Sequence, residues 1–382
     1  MEVHPSWNKM EFRIPNQRLC FCGKSYSPAN LLALRCKAIS ILGESAQDFI
    51  SFVERWFASD PYIEVQTSGS TGQPKRMFVE KERMMYSAAL TCRALQLSSD
   101  STALLCMNLR YIGAMMMVVR ALVAGLNLVV IPPTGHPLRD IPSPVHFAAM
   151  VPLQVYNSLQ SPIERLRLMQ IEKLIIGGGA VDQALERRLQ EHPGSVFSTY
   201  GMTETLSHIA LRRLNGLQKS DLYTPIDPEI KLSLSSRGTL LIDAPALSLT
   251  PIETNDLVEF SSEQRFRVLG RTDNVVNSGG VKIQLEELEA VLNHLIGEDL
   301  ALTYLPDQRL GQALVLLIQV TPDNEKWEGV VKSCLPAYHH PKYIFMVEQI
   351  PRTETGKIDR RACLYLAQSK LSENKGETKR EW

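Results

Sequence analysis

The sequence predicts an α/β protein, with a large amino-terminal α/β domain at residues 1–270, a smaller α+β domain at 271–368 and a charged tail at 369–382. Three observations carry this. Short apolar runs alternate with helical stretches through the first part, as in a layered α/β domain. Between Leu232 and Val268 the texture changes to β-rich pieces separated by turns. After Gly270 an Arg-Thr-Asp turn opens a new succession of helix and strand.

The elements follow in order. Ala103–Met107, Asn127–Ile131 and Lys173–Ile176 read as buried strands, being short and apolar with turn residues at their ends. Met115–Ala124 suits a buried helix, with Gly125 as its stop and Leu126–Ile131 as the strand that follows. Ile112–Pro133 is apolar enough to suggest a membrane span. Arg120 lies near its middle, however, where a charge costs about 2.5–3.5 kcal/mol on insertion, so a soluble core is the better reading. The segment from Leu232 to Val268 reads as an antiparallel sheet or small barrel, a subdomain of the large part. Beyond it the pattern predicts a helix over Leu285–Leu295, a strand over Ala313–Val320, a helix over Glu328–Leu335 and a final extended segment. Ser369–Trp382, dense in Lys, Glu and Arg, is expected to fray.

Composition narrows the function classes. With 382 residues, 44% hydrophobic and 21% charged, the chain can bury a core in each of two or three domains. Its 41 basic and 41 acidic residues cancel, so no excess potential argues for nucleic acid. The seven cysteines are odd in number and lack CxxC pairing, which favours reduced thiols and a cytoplasmic chain. The start has neither the basic nor the apolar region of a secretory signal.

Chemistry is concentrated in a few segments. In Thr67-Ser-Gly-Ser-Thr-Gly-Gln-Pro-Lys75, hydroxyls and glycines alternate so that backbone N–H groups and side-chain O–H groups can meet anionic oxygens. Pro74 before Lys75 excludes a Walker A loop, and a flexible surface turn is the competing reading. In Ser198-Thr-Tyr-Gly-Met-Thr-Glu-Thr205 an aromatic ring, a hydroxyl and a carboxylate lie within five residues, a set suited to a purine, a phosphate and magnesium. Ile176-Gly-Gly-Gly-Ala-Val181 ends a buried strand in glycines, beside which a flat ligand could lie. Further charged segments are Thr254-Asn-Asp-Leu-Val258, Leu269-Gly-Arg-Thr-Asp-Asn274, Asn277-Ser-Gly-Gly-Val-Lys-Ile283 and Pro351-Arg-Thr-Glu-Thr-Gly-Lys-Ile-Asp359.

Taken in order, these motifs resemble those of the adenylate-forming superfamily, which includes acyl-CoA synthetases, luciferases and peptide-synthetase adenylation domains. The resemblance implies that Thr67, Ser68, Gly69, Ser70, Thr71, Gly72 and Lys75 hold the β- and γ-phosphates of ATP. It implies that Gly178 and Gly179 flank the adenine, Tyr200 stacks on it, Thr203 meets the α-phosphate and Glu204 holds Mg2+. Asp256 and Arg271 would contact the ribose, Asp273 would be the hinge of a mobile small domain, and Gly279 and Gly280 would line the tunnel for coenzyme A. Lys357 would bind the carboxylate and α-phosphate oxygens, where a cation offsets repulsion between two anions. The implied reaction joins a carboxylic acid to AMP and then to a thiol.

The chain is short for that superfamily, with 66 residues before the phosphate loop. Its Val151-Pro-Leu-Gln154, Ser207-His-Ile-Ala210 and Ser278-Gly-Gly-Val-Lys-Ile283 segments resemble the o-succinylbenzoate–CoA ligase family of menaquinone biosynthesis. An acid with two carboxylates calls for a second cation in the pocket. Arg110 with Tyr111 is the candidate, and Ser207 and His208 could line the same pocket. Other aryl- or acyl-CoA synthetases and carrier-protein-loading enzymes share the motifs. A non-catalytic AMP-binding module would be expected to lack Lys357 or Glu204, and both are present. Oligomeric state is left open.

Overall fold

The computed structural model describes residues 14–66, 76–141, 144–261, 264–319, 327–336, 339–353 and 356–373. The first strands, β1 (Leu19–Phe21) and β2 (Lys24–Tyr26), lead into helices α1 (Leu31–Leu42) and α2 (Ala46–Phe57). In α2 the residues Ala46, Phe49, Ile50, Val53 and Trp56 recur at helical spacing and are buried, each large side chain stabilising the fold by about 1.5–3 kcal/mol. Trp56 has its indole N–H satisfied by Gln17 at 2.8 Å.

The hairpin β3 (Tyr62–Gln66) and β4 (Arg76–Glu80) precedes α3 (Lys81–Leu95). Then come β5 (Thr102–Leu105), α4 (Ile112–Ala124), β6 (Asn127–Val130), β7 (Phe147–Met150), α5 (Pro152–Gln160), α6 (Pro162–Leu168) and β8 (Lys173–Ile176). Strand and helix alternate here as the apolar runs predicted. The helix around Arg120 begins three residues earlier than expected, at Ile112, and every residue from Ala114 to Leu122 is buried. No helix among the described residues is long and apolar enough to cross a membrane.

After α7 (Gln183–Arg188), strands β9 (Ser195–Gly201), β10 (His208–Arg213) and β11 (Thr224–Pro225) complete a nine-stranded sheet of order β11-β10-β9-β8-β7-β5-β6-β1-β2. Its middle, from β1 through β9, is parallel, and antiparallel pairs close both edges. From β5 the chain visits β6 on one side and then β7 on the other. This reversal opens a crevice at the carboxyl ends of the strands, where α/β sheets bind ligands. Buried side chains on the two faces of the sheet form separate apolar clusters, so both faces are covered.

The β-rich stretch forms a four-stranded antiparallel sheet of β12 (Lys231–Leu234), β13 (Thr239–Asp243), β14 (Ile252–Phe260) and β15 (Phe266–Arg271). A three-residue 3-10 turn, Thr272–Asn274, leads to β16 (Val275–Ser278), β17 (Val281–Gln284) and α8 (Leu285–Ile296). With β18 (Asp299–Asp307), β19 (Gly311–Gln319) and β20 (Tyr343–Met346) they make a five-stranded sheet with its own buried clusters, one of which includes α9 (Trp327–Cys334).

The chain ends differently from the final extended segment that the sequence suggested. The next element after strand β20 is α10 (Arg360–Glu373), which runs into the segment expected to fray. Asp359 starts this helix by accepting a hydrogen bond from the Ala362 N–H at 2.9 Å. Cys363 and Ala367 bury one face of it while its other positions carry charge, which is why apolar periodicity was weak there.

Candidate active site

At this end of the sheet the turns that leave β7 and β8 meet each other and strand β9. At the end of β9, Tyr200 packs edge-on against Tyr223 and Phe266, with ring centroids 5.9 and 5.1 Å away. Its hydroxyl donates to Asp256 Oδ2 at 2.5 Å. Burial, and then the Asp256 charge, raise the phenol's pKa, so it stays a donor. Arg271 donates from Nη1 to Asp256 Oδ1 at 3.1 Å and, through Nε and Nη2, to both Asp273 oxygens at 2.9 Å. That two-point hydrogen bond is the main reason the guanidinium pKa is raised. Burial disfavours the charged Asp273, but Arg271 more than offsets it and holds the carboxyl below its ordinary range. Tyr200, Asp256, Arg271 and Asp273 thus form one continuous polar chain.

Lys357 comes to the same place from the far end of the sequence. A Cβ added at Gly179 would lie 3.6 Å from Lys357 Cγ and 3.4 Å from Pro152, at the carboxyl ends of β8 and β7. Desolvation by surrounding protein, and then the Arg271 charge, push its ammonium below the usual lysine range, while Asp256 pulls the other way. Gly177, at the head of the same turn, has no room for a side chain, since a Cβ there would stand 2.4 Å from Thr199 Oγ1. Gly178 adopts a positive φ beside Val151.

Thr203 and Glu204 sit at the tip of a tight turn closed by Leu206 N–H donating to the Thr203 carbonyl at 2.9 Å. Thr205 beneath them bonds to Met202 and to the Ser207 carbonyl. Glu204 is exposed and makes no hydrogen bond or ion pair to a described residue. No group of three or more His, Cys, Asp or Glu among the described residues is arranged to hold a metal. A lone exposed carboxylate is chemically compatible with a magnesium ion that takes its other ligands from phosphate and water.

Ser207 and His208 lie at the start of β10, opposite Gly201. There they meet a side chain that the sequence reading used only to exclude a membrane span. Arg120, in the middle of α4, is 2% exposed and donates from Nη2 to Ser207 Oγ at 2.6 Å. No carboxylate among the described residues pairs with it, and its Nε has no hydrogen-bond partner. Burial pushes its pKa down to about 10, which leaves it charged at neutral pH. His208 contacts Thr91 Oγ1 at 3.2 Å and Ser207 Oγ at 3.4 Å. Burial, and then Arg120, hold its pKa well below the ordinary histidine value, so it is neutral. A charge centred in an apolar helix was the signal available in the sequence.

The remaining candidates have other surroundings. Arg110 is 74% exposed, 3.8 Å from Asp48, and lines a cavity of about 140 Å³ with Asp48, Arg55, Glu64 and Gln66. Tyr111 bridges to Gln66, the last described residue before the phosphate loop. Gly279 and Gly280 form the two-residue turn between β16 and β17, both with positive φ, as such a hairpin requires. No hydrogen bond or ion pair among the described residues joins them to the group around Lys357. Thr67, Ser68, Gly69, Ser70, Thr71, Gly72 and Lys75 lie outside the described residues.

The chain is similar to known proteins over most of its length. A family model described as AMP-binding enzyme matches residues 43–235. The probable 2-succinylbenzoate–CoA ligase of Mycobacterium tuberculosis is 26% identical over 343 residues, covering 80% of this chain and 84% of that protein. Among solved structures, an acyl-CoA synthetase (AMP-forming)/AMP-acid ligase II-like protein from Dyadobacter fermentans is 36% identical, with a TM-score of 0.57, over 84% of this chain and 93% of that one. The fold is also shared with o-succinylbenzoate coenzyme A synthetase of Bacillus subtilis in complex with ATP and magnesium ion, at 16% identity and a TM-score of 0.68, covering 92% of this chain and 98% of the other.

Proposed function

The chain belongs to the AMP-binding enzymes, a family of adenylate-forming ligases, and from that premise we propose that it activates o-succinylbenzoate with ATP and Mg2+ and transfers the acyl group to coenzyme A. The observation that carries the choice of acid is Arg120. A buried guanidinium without a counter-ion is costly, and removing a partner from such a group costs about 3–5 kcal/mol. An acid with a second carboxylate supplies that partner. Ser207 would add a hydroxyl donor, and the neutral His208 would hold Ser207 without adding positive charge.

In this reading Tyr200 offers its ring to the adenine, Asp256 and Arg271 take the ribose hydroxyls, and Thr203 donates to the α-phosphate. Glu204 would bind magnesium, which lowers the negative charge of the phosphates when present. The loop Thr67–Lys75 would hold the β- and γ-phosphates. Lys357, whose side-chain stem lies beside Gly179 at the carboxyl end of β8, would reduce repulsion as the acid oxygen attacks the α-phosphorus and pyrophosphate leaves. The thiol of coenzyme A then attacks the acyl carbon and AMP departs, with no covalent enzyme intermediate. Asp273 would be the hinge between the two half-reactions, after which Gly279 and Gly280 line the path of the thiol.

The test is pyrophosphate release with o-succinylbenzoate, benzoate and a medium-chain fatty acid, each with and without coenzyme A. The expected result is selective turnover of o-succinylbenzoate, thioester only with coenzyme A, and loss of both in Lys357→Ala. Faster turnover of benzoate rejects the dicarboxylate. Adenylate formation without thioester points instead to loading of a carrier protein.

A further inference from the structure

The loop that presents Lys357 is tied to the rest of the carboxy-terminal sheet at both ends by arginines to which no motif assigned a role. Residues 351–353 pair with residues 356–359. Thr353 N–H donates to the Lys357 carbonyl at 2.8 Å, Asp359 N–H to the Pro351 carbonyl at 2.9 Å, and Arg352 forms a bridge with Ile358. Gly356, at the turn, packs on Leu153 of α5. On one arm Arg352 donates to the Gly356 carbonyl at 2.9 Å and to Asp299, at the start of β18, at 2.6 Å. On the other arm, three residues past Lys357, Arg360 inserts between α8 and β18. It donates to both oxygens of Glu289, at 2.5 and 2.7 Å, and to the Leu302 carbonyl at 3.1 Å. Glu289 is 5% exposed and also accepts from Leu302 N–H at 2.7 Å.

A buried ion pair is poor evidence of a stabilising device, because desolvation consumes most of its attraction. What this pair does well is fix geometry. The planar fork of Arg360 against both oxygens of a buried carboxylate, itself tied to the backbone of β18, leaves little freedom of rotation or translation. We propose that Arg360 and Glu289, with Arg352 on the opposite arm, are positioning residues that hold Lys357 in register for the adenylation half-reaction. This rests on the reading of Lys357 given above. None of the three bonds directly to Tyr200, Asp256 or Arg271, although Arg360 also lies 3.8 Å from Glu286, which accepts from Gln284; their link to Lys357 runs through the hairpin.

The experiment uses the full chain and separates the half-reactions. Pyrophosphate release with ATP, magnesium and o-succinylbenzoate measures the first, and thioester formation from preformed acyl-adenylate and coenzyme A measures the second. Should o-succinylbenzoate not turn over, the best acid of the panel replaces it, so the choice of acid does not decide the outcome. Arg360→Lys and Glu289→Gln are expected to lower the adenylation kcat by about 10- to 100-fold, the range for misplacing a catalytic group by an ångström. The KM for ATP and the rate of the second half-reaction should stay within about 2-fold, since neither uses Lys357. Arg352→Ala, at a more exposed site, should give a smaller loss of the same kind. Hydrogen exchange should quicken in the peptide 351–360 alone. Equal loss in both half-reactions, exchange that quickens throughout the chain, or unchanged adenylation in both Arg360→Lys and Glu289→Gln overturns the brace. Full adenylation activity in Lys357→Ala overturns the reading of Lys357, and the brace with it. Loss in Lys357→Ala beside unaltered brace variants rejects the brace alone.

Discussion

Arg120 combines a cost to the fold with a use in the site. Arg120→Met removes a buried charge that no carboxylate offsets, and replacing even a paired buried charge by an apolar side chain is often neutral or stabilising. The variant is therefore expected to unfold at equal or higher urea concentration. Its KM for o-succinylbenzoate should rise by about 10- to 100-fold, the equivalent of one charged hydrogen bond, with the KM for ATP unchanged. Steady-state kinetics and urea titration on one preparation check both halves. His208 next to it gives a pH signature. Its folded pKa lies below the ordinary 6.5, so on acidification the unfolded chain takes up a proton that the folded chain refuses. Stability from this group is complete above about 6.5 and declines below it, by up to about 1.4 kcal/mol per pH unit. Urea midpoints at pH 7.5 and 5.5 should differ less in His208→Gln. At this scale a rigid motif order singled out Tyr200 and Lys357, which the fold brings near the same Asp256. It was not legible at Arg120, whose meaning depends on which side chain faces it across two elements.

The turn between β9 and β10 depends on one close approach. A Cβ at Gly201 would stand 2.3 Å from the Ser207 carbonyl oxygen and 2.5 Å from His208 Cα, and backbone atoms cannot swing aside as a side chain can. Gly201→Ala should thus cost about 1–3 kcal/mol of stability, as overpacking does. It should also weaken ATP and acid together, because it moves Tyr200 relative to Ser207. Thermal unfolding with both KM values checks this. Buried strands such as Lys173–Ile176 matched the apolar pattern because a parallel sheet covered on both faces leaves each strand uniformly apolar. Helix α10 escaped notice because its buried face is small, resting on Cys363 and Ala367 among charged residues.

For the molecule as a whole, the critical link is the turn Thr272–Asn274. Asp273 faces Arg271 on the β14–β15 side, while Asn274 bonds to Glu286 on α8. The two sides therefore part within two adjacent residues. Asp273→Pro, which fixes φ and removes an N–H, is expected to leave pyrophosphate release within about 3-fold while slowing thioester formation by at least about 10-fold. Measuring the half-reactions separately checks it, and equal loss in both would count against a hinge. The change of texture near residue 271 was visible in the sequence because a new core begins there. Which surfaces meet across the turn was not, since the contact of Gln284 with Gly270 joins residues of no distinctive type. The turn also sets a concentration. Because the sheet that carries Lys357 is joined to the β14–β15 side by a turn of three residues, Lys357 is present at an effective level of millimolar or above that no dilution of the protein can lower. A separate lysine-bearing subunit would leave the site as the solution thins. This one cannot, so turnover per molecule should be the same in a dilute assay as in a crowded one.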